Sequence, residues 1–241
     1  MNTIRKKYGQ EAIELVREVI GPGRRVGSLI GSGSYGEVYN LICTQTSKCD
    51  RVIKIQYNKY ETIRSEIRSQ QHLASYDLAP HIFCSDAIMS ENTGNKAFVV
   101  IVMEKIDGVL YELLKQPLSF QSLQDICDVI YDIIIKLCAI ESIHGDFHLE
   151  NIGYVITGSD KIRFMLIDFG FSQTETECNP RLEITQLLRS LKILKGLDAG
   201  NVEFIHRYFI RKYETSYGEM TNGANTLWKR FIGRHLRKLR N

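Results

Sequence analysis

The chain has 241 residues, of which 44% are hydrophobic, 24% are charged and four are proline. This excludes a disordered or collagen-like chain and leaves enough apolar mass for one sizeable domain or two lobes with a shared core. A net charge of +3 is too small to mark the whole chain as a nucleic-acid binder, so any electrostatic argument must rest on local clusters.

The six cysteines, Cys43, Cys49, Cys84, Cys127, Cys138 and Cys178, include no C-x-x-C pair. At this spacing they are expected to stay reduced, in an intracellular protein of the cytoplasm or nucleus. No apolar leader follows the N-terminal Met1-Asn2-Thr3-Ile4-Arg5, so a secretory signal is not expected. The most apolar run, residues 129–140, contains Asp132 and Lys136 and is too short and polar to span a bilayer.

Residues 8–20 place Ala12, Ile13, Leu15, Val16 and Ile20 at helical spacing and stop at Gly21-Pro22-Gly23. They predict one short helix within an N-terminal extension, residues 1–23, that packs on the first lobe. Residues 26–30 and 37–42 read as strands around Gly31-Ser32-Gly33-Ser34-Tyr35-Gly36. Glycine there suits positive φ and a close backbone approach to an anion. A dinucleotide fingerprint would open a helix, whereas Glu37-Val38-Tyr39-Asn40-Leu41-Ile42 is β-branched and aromatic. The turn is thus an ordinary hairpin or a phosphate-binding one.

Residues 51–57 alternate as a strand, with Lys54 between Ile53 and Ile55. Such a lysine either snorkels from a strand edge or points into a cleft. Residues 61–76 read as a helix with Ile63, Ile67, Gln70 and Ala74 on one face and Glu66 beside it. Two more strands are predicted over 83–89 and 97–103, separated by a polar turn around Gly94. A short helix follows over 111–114. The strongest helical pattern is 123–140, where Leu123, Ile126, Ile130, Ile133, Ile134 and Leu137 recur on one face.

Residues 182–194, 202–213 and 227–239 read as three further helices. The last carries Lys229, Arg230, Arg234, Arg237, Lys238 and Arg240 on its polar face. That face is either solvated or docks an acidic partner: nucleic acid, protein or an anionic membrane surface.

Between the helical runs lies Ile143-His144-Gly145-Asp146-Phe147-His148-Leu149-Glu150-Asn151, then a hairpin, then Asp168-Phe169-Gly170 after the apolar residues 164–167. With the glycine-rich turn and Val52-Ile53-Lys54-Ile55, this stretch resembles the catalytic loop and DFG motif of the protein-kinase superfamily. The resemblance implies an α+β, bilobal protein-kinase-like fold. Its N-lobe, residues 24–104, would be an antiparallel β-sheet with one main helix. Its C-lobe, residues 105–241, would be reduced and mostly helical.

The resemblance also implies ATP and Mg²⁺, with Mn²⁺ as an alternative ion. Gly31, Gly33, Ser34, Gly36 and Val38 would cover the nucleotide, and Lys54 would hold its phosphates, oriented by Glu66 or else by Glu61. Met103 and Glu104 would present hinge backbone to the adenine. Asp146 would accept the proton of the attacking hydroxyl beside His148, and Asn151 and Asp168 would bind the metal. His144 would brace the loop.

The match departs from the common pattern in three places. Gly145 stands where regulated kinases carry an arginine that pairs with activation-loop phosphate. His148, two residues after Asp146, resembles aminoglycoside and choline phosphotransferases. Only residues 173–180 separate the DFG motif from the next helix, with no Ala-Pro-Glu, as in small atypical serine/threonine kinases of the RIO type and the KEOPS kinase. The expected function is an ATP-dependent protein serine/threonine kinase acting on a protein substrate. The alternatives are a small-molecule phosphotransferase and a pseudokinase scaffold.

Overall fold

The protein is seen in a computed structural model that describes residues 2–33, 36–44, 49–90, 95–158, 161–176 and 178–217. Five strands form the first sheet: β1 (Arg24–Gly33), β2 (Gly36–Cys43), β3 (Arg51–Lys59), β4 (Ile82–Met89) and β5 (Lys96–Glu104). They pair antiparallel in the order β1-β2-β3-β5-β4. Successive side chains on a strand point to opposite faces, and both faces here are covered. Ile53, Ile55, Phe98, Val100 and Val102 lie on one face, Ala97, Val99 and Ile101 on the other.

The first face packs against the N-terminal extension. This extension is two helices, α1 (Asn2–Tyr8) and α2 (Gln10–Ile20), rather than the single one predicted, because Gly9 adopts φ 91° between them. Ala12, Ile13, Leu15, Val16 and Ile20 of α2 are buried on the sheet. The second face receives α3 (Tyr60–Ala74) through Ile63.

The second lobe begins with β6 (Gly108–Val109) and α4 (Leu110–Leu113) and is built on α5 (Phe120–Ala139). Ser119 caps α5 by accepting from Ser122 N–H at 3.1 Å. A 3-10 turn (Leu149–Asn151) leads into the hairpin β7 (Ile152–Ile156) and β8 (Ile162–Leu166), which pairs with β6. Then come α6 (Pro180–Ile193), capped by Asn179 with Pro180 in its first turn, and α7 (Ala199–Tyr217).

The largest core cluster joins Ile126, Ile130 and Ile134 of α5 to Leu187 of α6 and Phe209 of α7. It also takes in Leu73 and Ala74 from the end of α3, together with Phe169. One apolar core therefore runs across the junction of the lobes. Each fully buried Leu, Ile or Phe in it contributes roughly 1.5–3 kcal/mol.

The architecture is α+β and bilobal, with an antiparallel sheet in the N-lobe. Among the described residues no helix is long and apolar enough to cross a membrane. The predicted basic helix at 227–239 lies outside the described residues.

The expectation of unpaired cysteines is corrected. Cys43 is bonded to Cys49 and Cys138 to Cys178, with Cα–Cα separations of 5.6 and 4.7 Å, while Cys84 and Cys127 are free. Sequence spacing does not reveal the second bridge, because its partners are 40 residues apart and meet only when the chain after the DFG motif folds back on the end of α5.

Candidate functional site

The N-lobe half of the site is set by strand alternation. Lys54 and Gln56 share the face of β3 opposite Ile53 and Ile55, and that face looks toward α3. Lys54 Nζ donates to Glu66 Oε1 at 2.5 Å. Glu66 is 4% exposed, and its other oxygen, Oε2, accepts from Gln56 Nε2 at 2.8 Å. Glu61, the alternative partner, lies in the first turn of α3, exposed, 3.8 Å from Arg64.

Val38 sits opposite Lys54 in the β2–β3 register and opposite Gly31 in the β1–β2 register. The glycines differ in what they require. Only Gly36 has positive φ (137°), and a Cβ there would press on the Ile55 carbonyl and lie 2.9 Å from Gln56 Cγ. Gly33 faces open space, and a Cβ at Gly31 would meet only Val38 at 3.8 Å. The need for glycine at 36 is therefore close packing on β3. Ser34 lies outside the described residues.

Met103 and Glu104 end β5. The Met103 side chain packs against the cluster of Ile63, Val99 and Ile101, with Gln70 Nε2 3.6 Å from its Sδ. Glu104 is committed to structure. Its N–H donates to His81 O at 2.8 Å, and its carboxylate accepts from Arg163 and from His81 N–H. Lys105 N–H donates to Asp50 O at 2.9 Å. Between Lys105 and Asp107, the Ile106 N–H has no backbone acceptor among the described residues.

The C-lobe half sits on irregular backbone, whose buried N–H groups must find partners outside a helix or ladder. Those partners come from α6. Glu183 Oε1 accepts from His144 N–H at 2.7 Å and from Gly145 N–H at 3.4 Å. Gln186 accepts from Phe147 N–H at 2.8 Å and donates to Gly145 O at 2.7 Å. Ser190 Oγ accepts from Leu149 N–H at 3.4 Å. Glu183 is fully buried, and burial pushes its carboxyl pKa up against the opposing pull of those N–H donors. Sequence reasoning missed all three residues. A Glu at the fourth position of a helix, on the face it buries, was the available signal.

His144 is fully buried. Its Nδ1 accepts from Asp146 N–H at 3.4 Å, which puts the proton on Nε2, 3.0 Å from Ile167 O. Burial pulls its pKa down to about 4, so the ring is neutral at pH 7. The ring packs edge-on to Phe169, with centroids 5.5 Å apart. Gly145 has φ 80°, and a Cβ there would run into the Phe171 carbonyl. A side chain at that position is excluded by the chain that follows the DFG motif.

Asn151 Nδ2 donates to Asp146 O at 3.0 Å and to Asp146 Oδ2 at 3.1 Å. This orientation leaves the amide oxygen for a cation. His148 Nδ1 accepts from Glu150 N–H at 3.3 Å, so Nε2 carries the proton and stands 3.3 Å from Asp146 Oδ2.

Asp168 has φ 64°, a strained value for a non-glycine residue. Its Oδ1 is buried with no hydrogen-bond partner. Burial pushes its pKa up, the Lys54 ammonium pulls it down, and the Glu66 and Asp146 carboxylates raise it further. Lys54 and Glu66 from one lobe and Asp146 from the other thus act electrostatically on Asp168. A buried carboxylate oxygen without a donor suits a hard divalent cation such as Mg²⁺, which takes one or two protein oxygens and completes its shell with water and phosphate.

An open groove of about 400 Å³ adjoins Asp146, lined by His148, Glu150, Arg189, Ile193 and Leu194 among others.

A family model for the protein kinase domain matches residues 24–192, from the first residue of β1 almost to the end of α6. It takes in both halves of this site. No curated protein matches the chain.

Proposed function

The chain belongs to the protein kinase domain family, and from that premise we propose that it is an ATP-dependent protein serine/threonine kinase. The observation that carries this reading is the convergence on Asp168 of a charged Lys54–Glu66 pair and of Asp146 held by Asn151. Phosphoryl transfer demands positioning and charge neutralisation more than covalent help.

Lys54 would hold the nucleotide phosphates. Asn151 Oδ1 and Asp168 would hold Mg²⁺, which when bound neutralises charge on the transferred phosphoryl group. The acceptor hydroxyl oxygen attacks the γ-phosphorus, the bond to the β–γ bridging oxygen breaks, and Asp146 accepts the hydroxyl proton. His148 Nε2–H stabilises and aims the Asp146 carboxylate at that step. General-base help of this kind contributes on the order of 10²–10⁴-fold. Ile106 N–H is the hinge donor for the adenine edge.

The open groove beside Asp146, with exposed Ile193 at its rim, supports a polypeptide acceptor. One observation favours a small-molecule acceptor instead: His148 sits directly on Asp146, in the spacing shared with aminoglycoside and choline phosphotransferases. Incubation with radiolabelled ATP separates the two. Label on serine or threonine of added proteins supports the first reading. Label only on small hydroxyl compounds replaces it with the second, and failure to bind or turn over Mg-ATP leaves a scaffold.

The cationic residues between Lys229 and Arg240 support an acidic partner by charge alone. Reversing charge at Arg234, Arg237 and Lys238 should weaken salt-sensitive partner capture and leave Mg-ATP binding intact. Unchanged capture would assign that face to solvent.

A further inference from the structure

Gln56 stands where strand alternation alone would put an apolar residue. It is 2% exposed, two positions from Lys54 on the same face of β3, in a sheet otherwise buried by Val, Ile and Phe. Burying an amide is unfavourable by several kcal/mol unless it is hydrogen-bonded. Half of this one is bonded: Nε2 donates to Glu66 Oε2 at 2.8 Å, while Oε1 is buried with no partner. Turning the amide over would bring two oxygens together, so the Glu66 carboxylate dictates its orientation. The bond has a charged acceptor and is of the stronger class.

We propose that Gln56 is a positioning residue that fixes the Glu66 carboxylate, and through it Lys54, in the phosphate-holding pose without an external signal. Two donors from one rigid strand grip the two oxygens of one carboxylate, Lys54 at 2.5 Å on Oε1 and Gln56 at 2.8 Å on Oε2. A carboxylate held at one oxygen can swing about its last torsion; held at both, it cannot. Gln56 also supports the nucleotide cover, because Gly36 rests on it so closely that a Cβ would lie 2.9 Å from Gln56 Cγ. Gln56 thus ties α3 to the glycine-rich hairpin through β3 alone. Among the described residues, the hydrogen bonds to the Glu66 carboxylate come from β3. Its catalytic consequence rests on the kinase reading above; the geometric claim does not.

The test replaces Gln56 with Met, which keeps the length but loses the donor, and with Asn, which keeps the amide but is too short to reach. In either variant kcat for transfer should fall about tenfold, one strong hydrogen bond, with a smaller change in KM for ATP. The double variant Gln56→Met/Glu66→Ala should transfer no more slowly than Glu66→Ala alone, because Gln56 acts through Glu66. In the nucleotide-free protein, Lys54 should acylate faster with a small amine-reactive reagent in Gln56→Met than in wild type, read by mass spectrometry with the other lysines as controls. Losses that multiply in the double variant, or wild-type Lys54 acylation in both single variants, overturn the proposal. Absence of any transfer by wild type would instead remove the kinase reading and leave the acylation result to decide the positioning claim.

Discussion

Lys54 and Glu66 come from neighbouring regular elements 12 residues apart and touch directly. Asp146, Asn151 and Asp168 sit on irregular backbone, and the catalytic loop is fastened by side chains of α6 that lie 38 to 41 residues further along the chain. The difference is one of backbone accounting. A strand and a helix satisfy their own N–H and C=O groups, so their side chains are free to pair with each other. A catalytic loop cannot, and α6 supplies acceptors in its place. The C-lobe scaffold should therefore fail mainly in stability when altered, and the N-lobe half in rate as well as stability.

The largest effect is expected at Asp168, where both readouts separate. Asp168→Asn should reduce transfer by about 10³-fold or more, since an amide replaces a charged metal ligand poorly. It should also raise the melting temperature of the nucleotide-free protein. The folded-state pKa of Asp168 is raised, mainly by burial, so its ionisation works against the fold, and stability is lost as the pH rises above the unfolded carboxyl range. Wild-type turnover at saturating Mg²⁺ would remove Asp168 from the metal site.

Glu183→Ala comes next and tests the scaffold directly. It leaves the His144 and Gly145 N–H groups without an acceptor in a buried place, a loss of about 2–5 kcal/mol. Glu183→Gln keeps the acceptor and removes a buried charge, so it should unfold near the wild-type denaturant midpoint. Equal midpoints for the Ala and Gln variants would break the contrast between the lobes. Glu66→Ala should lose rate as well as stability, because it leaves the buried Gln56 Nε2 and Lys54 Nζ without their acceptor.

A smaller effect is expected from pH. His144 has a folded-state pKa of about 4 against an ordinary 6.5. The unfolded chain binds more protons between those values, so stability present above pH 6.5 is lost as the pH falls toward 4, by up to about 3 kcal/mol. Urea midpoints across that window should show this slope, and a His144→Asn variant should lack most of it.

The smallest expected change follows from Gly145. No side chain fits there, so the usual arginine that reads an activation-loop phosphate has no place. Phosphatase treatment of the purified protein should alter activity less than twofold. A large loss that returns on rephosphorylation would mean another cation reads the phosphate.

Much of the fold is legible in sequence because it is local. Period-2 and period-3.6 patterns located β1 to β5 and α3 to α6 to within a few residues. They missed α1 (Asn2–Tyr8) and began the helix of the extension at residue 8, on the far side of Gly9 from where α2 starts. The resemblance carried by the motifs around Lys54, Asp146, Asn151 and Asp168 pointed to one chemistry. The Glu104 carboxylate is spent on Arg163 and His81, and nothing within five residues of it announces that.

The sequence by itself determined which chemical groups are present and which neighbours they have along a strand or a helix, since periodicity and short-range sterics act within a few residues. Only the tertiary structure decided that Glu66 and not Glu61 faces Lys54, that Gln56 grips the same carboxylate, and that Glu183, Gln186 and Ser190 hold the catalytic loop. It also decided that Cys138 meets Cys178. Each of these depends on how a helix is rotated and seated against its neighbours. That seating is set by apolar burial summed over a whole core, and no single spacing along the chain carries it.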